Sequence, residues 1–197
     1  MRSDGSSRLA LQCTFFLLLW GSSAHLIAGQ QSWGGRVNGL EMSIHLGQTL
    51  DGDAGTPNFE IDLHNFGEND LVLNLGIMLA NGKRQYPQAL FLVITDAAGK
   101  SHRFNLIEPG HIFGRLDPLV VPLSVGATFS VPVNLHKYWA AKSLEFDYKL
   151  KAGTYFIEAQ FTGTDASDLN NDMGGVGLMP YWKGTVISNR LQFEVTQ

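Results

Sequence analysis

Lys149-Leu-Lys-Ala-Gly-Thr-Tyr-Phe-Ile-Glu-Ala-Gln-Phe161 is the stretch that decides the fold. Ala152 and Gly153 mark a turn, and apolar residues then recur at every second position from Tyr155 to Phe161. This alternation predicts a strand with one buried face and one solvated face. A tyrosine two residues after a turn glycine is typical of the tyrosine corner of Greek-key sandwiches, whose hydroxyl binds the backbone of the crossing loop. We therefore predict that Gly153 and Tyr155 are structural residues.

The same alternation, or a denser apolar run, recurs along the chain between turn signals, and no internal repeat is present. It predicts about eight strands, arranged as an all-β antiparallel sandwich. The other predicted strands include residues 40–46, 59–63, 71–79, 89–95, 102–106, 127–135 and 191–195.

Two segments depart from this pattern. Prolines and glycines accumulate from Glu108 to Val125, which favours a long irregular crossing. Leu135 to Lys142 is predicted to be one short helix, because Leu135, Tyr138 and Trp139 share a face at helical spacing.

Composition limits the classes of partner. The 197 residues suffice for one ordinary domain, and the apolar content of 44% and charged content of 16% are those of a globular chain. The net charge is −4 and no basic cluster stands out, so a nucleic-acid surface is not supported. Proteins, glycans or ions are the expected partners.

The N-terminal residues predict that the protein is exported. Arg2 and Arg8 precede an apolar core at Thr14–Trp20, and small residues follow at Ser22–Ala24, as in a secretory signal peptide. The apolar run is shorter than the roughly 20 residues of a membrane-spanning helix, so we expect cleavage and no membrane span afterwards. The single cysteine, Cys13, would be removed with this peptide, which would exclude disulfides and cysteine-bound zinc from the mature chain.

The expected organisation has three parts. Residues 1–24 are the signal peptide, and the polar, glycine-rich residues 25–39 are a flexible lead segment. Residues 40–197 form the single β-sandwich domain. The mature protein is expected to be secreted or periplasmic.

Several motifs resemble the immunoglobulin-like domains that recur in uncharacterised bacterial secreted or envelope proteins. They are Asn134–Tyr138, Leu150–Tyr155, Ser188-Asn189 before the last strand, Phe59–Asn65 and Leu92–Gly99. The resemblance implies an antiparallel Greek-key, immunoglobulin-like β-sandwich of about eight strands with one short helix, and the matched positions are architectural. A looser similarity connects the chain to the intracellular proteinase inhibitor domain.

One loop has oxygen ligands at metal-like spacing. Asp168, Asn170 and Asp172 alternate in a glycine-containing loop and could surround a calcium ion, the one possible cofactor. Met173 and Met179 occupy the positions where an EF-hand loop has glycine and glutamate. The alternative is a solvated turn, which is the usual role of such loops.

Two aromatic pairs lie beside loops. Tyr138-Trp139 and Tyr181-Trp182 could stack on sugars or anchor a protein partner. The alternative is that these rings cap the core, with Trp182 the strongest candidate for that role.

No catalytic motif is present, and the six histidines are scattered; His45 and His64 are expected on solvated strand faces. The sequence therefore predicts no enzyme, but a non-catalytic extracytoplasmic binding or interaction module whose partner is a protein or another envelope component. Two alternatives stay open: a calcium- or carbohydrate-dependent binding module, and a protease inhibitor.

Overall fold

The computed structural model describes residues 32–47, 57–80, 82–107, 114–140, 150–163 and 181–196, and this part of the chain is mostly β-structure. Its strands pair antiparallel in three sheets. The twelve strands of the described residues are β1 (Leu40–Leu46), β2 (Phe59–Asn65), β3 (Leu71–Leu79), β4 (Gln85–Tyr86), β5 (Leu90–Asp96), β6 (Ser101–Leu106), β7 (Leu116–Leu123), β8 (Thr128–Val133), β9 (Tyr138–Ala140), β10 (Gly153–Gly163), β11 (Gly184–Ile187) and β12 (Leu191–Val195).

Two of the sheets form a bent ribbon. β2 pairs with β8 and is flanked by β1, while β3 pairs with β7 and is flanked by β4. Asn65 ends β2 at the bend and is fully buried. Its side-chain amide donates to the carbonyl oxygens of Asn69 and Leu123, and its amide oxygen accepts the Gly67 N–H. The bend is therefore tied by one side chain that replaces missing strand-to-strand hydrogen bonds.

The third sheet has six strands in the order β11, β10, β5, β6, β9, with β12 also paired to β10. β10 is long enough to pair with β11 through one half and with β12 through the other. Its alternation sends Ile157, Ala159 and Phe161 into the core and leaves Glu158 and Gln160 outside. Apolar residues of all three sheets meet in one cluster.

The tyrosine at the start of β10 makes the bond that its position predicts. The Tyr155 hydroxyl donates to the carbonyl oxygen of Lys151, 3.0 Å away, across the turn at Gly153. Its ring stacks on Phe193 of β12, with centroids 5.7 Å apart. These two contacts join the turn at Gly153 to the start of β10 and to β12.

Residues just before β1, which the composition predicts to be flexible, make specific contacts with the sheets. The Gly34 N–H donates to the carbonyl oxygen of Met42. The indole N–H of Trp182 donates to the carbonyl oxygens of Val37 and Asn38. Ordered packing in the described residues therefore begins before Leu40.

The prediction of a short helix at residues 135–142 is wrong for residues 135–140, the part that the structure describes. Leu135–Lys137 forms a single 3₁₀ turn, capped by the Asn134 side chain, and the chain then enters β9. Tyr138 and Ala140 are both buried, which is a period of two residues rather than the helical period. Backbone pairing with β6 outweighs the helical spacing of the aromatic residues.

The proline-rich crossing also contains an unexpected strand. β7 holds Pro118 and Pro122 opposite Ile77 and Val72, and β3 is its neighbour in the three-stranded sheet. Proline is tolerated at such an edge because its missing N–H is not needed for pairing. The described residues hold more strands than the predicted eight because β4, β7, β9 and β11 were not predicted.

No helix in the described residues is long and apolar enough to cross a membrane. The predicted signal peptide, residues 1–24, lies outside the described residues, and so does the predicted calcium loop.

Candidate functional site

The six-stranded sheet has one face turned away from the core, which we call the outer sheet face. Its residues alternate with buried ones along β5, β6, β10 and β11, and the strand registers set them side by side. The outer sheet face comprises Phe91, Val93, Thr95, Arg103, Asn105, Phe156, Glu158, Gln160, Thr162 and Thr185.

An arginine stacked on an aromatic ring lies at the centre of this face. The guanidinium carbon of Arg103 lies 3.4 Å from the centroid of the Phe91 ring. Its Nε donates to the side-chain oxygen of Asn105 at 3.2 Å. A stacked guanidinium keeps its N–H groups in the plane parallel to the ring, where they can donate to a ligand lying on the sheet.

A shallow groove of about 600 Å³ begins at this stack. Gln88 and Gln160 contribute side-chain amides, and Thr162 and Thr185 contribute hydroxyls whose oxygens are 3.3 Å apart. Phe91 is only 8% exposed, so the groove offers little bare aromatic surface. Five of its seven lining residues carry polar side chains, namely Gln88, Arg103, Gln160, Thr162 and Thr185.

A second stack continues the face toward β12. The Arg190 guanidinium lies 4.4 Å from the centroid of the Phe156 ring. Phe156 and Glu158 are successive outward residues of β10, and both are half-buried. The outer sheet face therefore carries two arginine–aromatic stacks rather than one isolated pair.

A different cluster lies on the sheet of β1, β2 and β8. Glu41 is 3% exposed and accepts hydrogen bonds from His64 and Arg36, each at 2.8 Å. Trp33 packs on the His64 ring at a centroid distance of 5.3 Å. Burial raises the pKa of Glu41, but the hydrogen bonds and charges of His64 and Arg36 outweigh it and lower that pKa overall.

The same cluster continues along the strands. The His45 imidazole lies 3.7 Å from the Glu60 carboxylate and 3.6 Å from that of Asp62. The Ser130 hydroxyl donates to Asp62. This serine is thus bonded to a carboxylate, whereas a hydrolytic triad bonds its serine to an imidazole. Within the described ranges, no group of three potential metal ligands is placed to hold an ion.

Two of the four aromatic residues predicted to contact a ligand are core residues. Tyr138 is 6% exposed, and burial raises its pKa to about 12. Trp182 is 3% exposed and stacks on Phe161 at a centroid distance of 5.3 Å. Apolar burial exceeds any gain from exposing these large rings, so they cannot stack on a sugar. Tyr138 and Trp182 both cap the core instead, which is the alternative role that the sequence left open.

Of the other predicted site residues, only Tyr181 has a side chain in the described part of the structure. Tyr181 is half-buried and forms an isolated backbone bridge with Val72. The Trp139 side chain lies outside the described part of the structure, although its backbone pairs with Asn105. The calcium ligands proposed from spacing, Asp168, Asn170 and Asp172, also lie outside the described residues.

Sequence reasoning missed both the arginine–aromatic stacks and the cluster around Glu41. The signal for the stacks was the outward position of Phe91 in β5 and of Phe156 in β10, where the other outward residues of β10 are polar. The signal for the cluster was the cross-strand register, which places Glu41 opposite His64. Neither signal can be used until the pairing of the strands is known.

Comparisons with known proteins supply no family. No protein-family model matches the sequence, and no curated protein is significantly similar to it. Among solved structures, the X-ray structure of the Northeast Structural Genomics Consortium target SoR45 is similar over 82% of this chain and 90% of that chain. The TM-score is 0.35 and the sequence identity is 10%, so this similarity carries no argument about fold or function.

Proposed function

We propose that the protein is a non-catalytic extracytoplasmic binding module whose outer sheet face binds a glycan of the cell envelope. The predicted signal peptide at residues 1–24 supports the location. The observation that carries the proposal is the groove beside Arg103 and Phe91, lined by amides and hydroxyls.

The proposed architecture is a Greek-key, immunoglobulin-like sandwich. Two findings support it: the central strand order β12, β10, β5 beside the sheet of β1, β2 and β8, and the Tyr155 corner bond. In such a fold the sheet that carries the outer face is rigid, so its side chains are held at constant spacing.

The chemistry of the groove favours a hydroxylated ligand over a protein. Protein interfaces depend on large aromatic anchors, and the one aromatic ring that lines the groove, Phe91, is only 8% exposed. Sugars present rows of hydroxyls that both donate and accept. Gln160, Thr162 and Thr185 donate and accept in the same way, and Arg103 adds planar donors. The open groove also fits a polymer that continues beyond its ends.

The first test is binding of the purified protein to a panel of polysaccharides that includes peptidoglycan. We expect at least one to be retained by affinity electrophoresis and to bind measurably by calorimetry. The variant Arg103→Ala should weaken that binding about tenfold or more, because it removes the planar donors. Arg103→Lys should restore little, since lysine keeps the charge but not the stacked fork.

Arg115→Ala is the matched control. Arg115 is an exposed arginine beside β7 with an ion pair to Asp117, and such pairs contribute little to stability. The Arg115→Ala variant should therefore bind the polysaccharide as tightly as the wild type does. Wild-type protein that binds no polysaccharide of the panel, or Arg103→Ala protein that binds normally, would refute the proposal.

A further inference from the structure

A second cavity shares no lining residue with the groove of the outer sheet face. It is a cleft of about 230 Å³ between β3, β4 and β7 on one side and β8, the 3₁₀ turn and β9 on the other. Its lining residues are Leu75, Gly82, Lys83, Gln85, Pro87, Leu106, Leu119, Phe129, Val131, Pro132, Asn134, Lys137 and Tyr138.

The floor of this cleft is apolar. Leu75, Leu119 and Val131 are buried members of the main core, and Leu106 and Phe129 pack against that core. A dry cavity of about 150 Å³ is enough to bind benzene, so a cleft of this size holds a longer apolar body. The floor thus matches the hydrocarbon part of a small ligand.

The rim has a single sign of charge. Lys83 and Lys137 contribute ammonium groups, and Gln85 and Asn134 contribute amides. None of the described residues that line the cleft is acidic. This contrasts with the whole chain, whose net charge is −4. A cationic rim above an apolar floor is complementary to an anionic head group on an apolar tail.

The backbone fixes the shape of the cleft on the side of β3. Gly76 lies next to Leu75 at a bulge, with φ +137°, a conformation that favours glycine. A Cβ at this position would collide with the carbonyl oxygen of Tyr86. β4 is therefore held close against β3, and this holds Gln85 and Pro87 at the mouth. The cavity is built into the strand geometry.

We propose that this cleft binds a small amphipathic carboxylate, with the carboxylate at the rim beside the Lys137 ammonium group and an aliphatic chain against Leu119 and Val131. The size of the cleft limits the ligand to a medium-length chain. The site is separate from the outer sheet face, so it stands or falls independently of glycan binding.

Octanoate is the probe, and octanol is its neutral counterpart. Octanoate at millimolar concentration should raise the melting temperature of the full chain and bind by calorimetry, while octanol should bind about tenfold more weakly or worse. Lys137→Gln should weaken octanoate binding several-fold, and Lys100→Gln, at an exposed turn remote from the cleft, should leave it unchanged.

A second variant tests the location without altering the core. Gln85 is exposed at the rim, so Gln85→Trp should obstruct the mouth and abolish octanoate binding while the protein still folds. The proposal is overturned if octanoate neither shifts the melting temperature nor binds, or if octanol binds as tightly. It is also overturned if Lys137→Gln and Gln85→Trp both bind octanoate as the wild type does.

Discussion

At the scale of single residues, Glu41 shows how a charged group can be buried on a sheet face. Its carboxylate is nearly inaccessible, yet His64 and Arg36 both donate to it. Burial of an ionised carboxylate without hydrogen-bond partners would reduce the stability of the fold by several kcal/mol. The two donors are therefore necessary for a glutamate to be tolerated at this position. The face that the alternation assigns to solvent is therefore an ordered polar layer.

We expect the stability contribution of Glu41 to depend on pH. The pKa of Glu41 in the folded state lies below its ordinary value of 4.5, so its contribution is complete above about pH 4.5. It is lost as the pH falls through the folded-state pKa. The free energy of unfolding of Glu41→Gln should be about 1–3 kcal/mol below that of the wild type at neutral pH.

Urea denaturation of both proteins at a series of pH values measures this difference. The gap should narrow as the solution is acidified below about pH 4.5, because the wild-type carboxyl then becomes neutral like the glutamine. A gap that is constant from neutral to acidic pH would show that the ionised form of Glu41 receives no net stabilisation.

At the scale of elements, the edge of β1 is covered by a side chain rather than by another strand. The Asn189 amide oxygen accepts the Ile44 N–H at 2.7 Å, and its amide nitrogen donates to the Ile44 carbonyl oxygen at 3.0 Å. Asn189 thus imitates the backbone of a neighbouring strand. Bare edge groups of this kind promote pairing between molecules.

Asn189→Ala should destabilise the fold by about 1–2 kcal/mol, because two backbone groups of Ile44 lose their partners. It should also raise the tendency to self-associate, measured by light scattering at increasing concentration. Gln192→Ala is the control, since Gln192 is an exposed amide on β12 and most such surface changes stay within about 0.5 kcal/mol. Equal stability of the two variants would contradict the role given to Asn189.

The elements also show what the sequence could and could not predict. Strict alternation predicted β1, β2, β8, β10 and β12, because each strand has one side in the core. The helix near Tyr138 was mispredicted because three aromatic and apolar residues at helical spacing fit a 3₁₀ turn followed by a strand equally well. β7 was missed because Pro118 and Pro122 indicate a strand only if its edge position is known.

At the scale of the whole molecule, the candidate site depends on contacts between distant parts of the chain. Arg103 and Phe91 belong to neighbouring strands, but Gln160 and Thr185 reach the groove only through the pairing of β10 with β5 and β11. Local pattern could therefore predict the polar outer positions but not their assembly. Loop position left two roles open for Tyr138 and Trp182, ligand contact and core capping, and both residues lie in the core.

The central claim is that the outer sheet face is the ligand surface. The most direct test is an NMR titration with oligosaccharide fragments of the polysaccharide that the protein binds. We predict that backbone amides of β5, β6 and β10 around Phe91, Arg103 and Gln160 shift on binding, while those lining the apolar cleft stay unchanged. Shifts confined to residues 164–180, with none on the outer sheet face, would contradict the account.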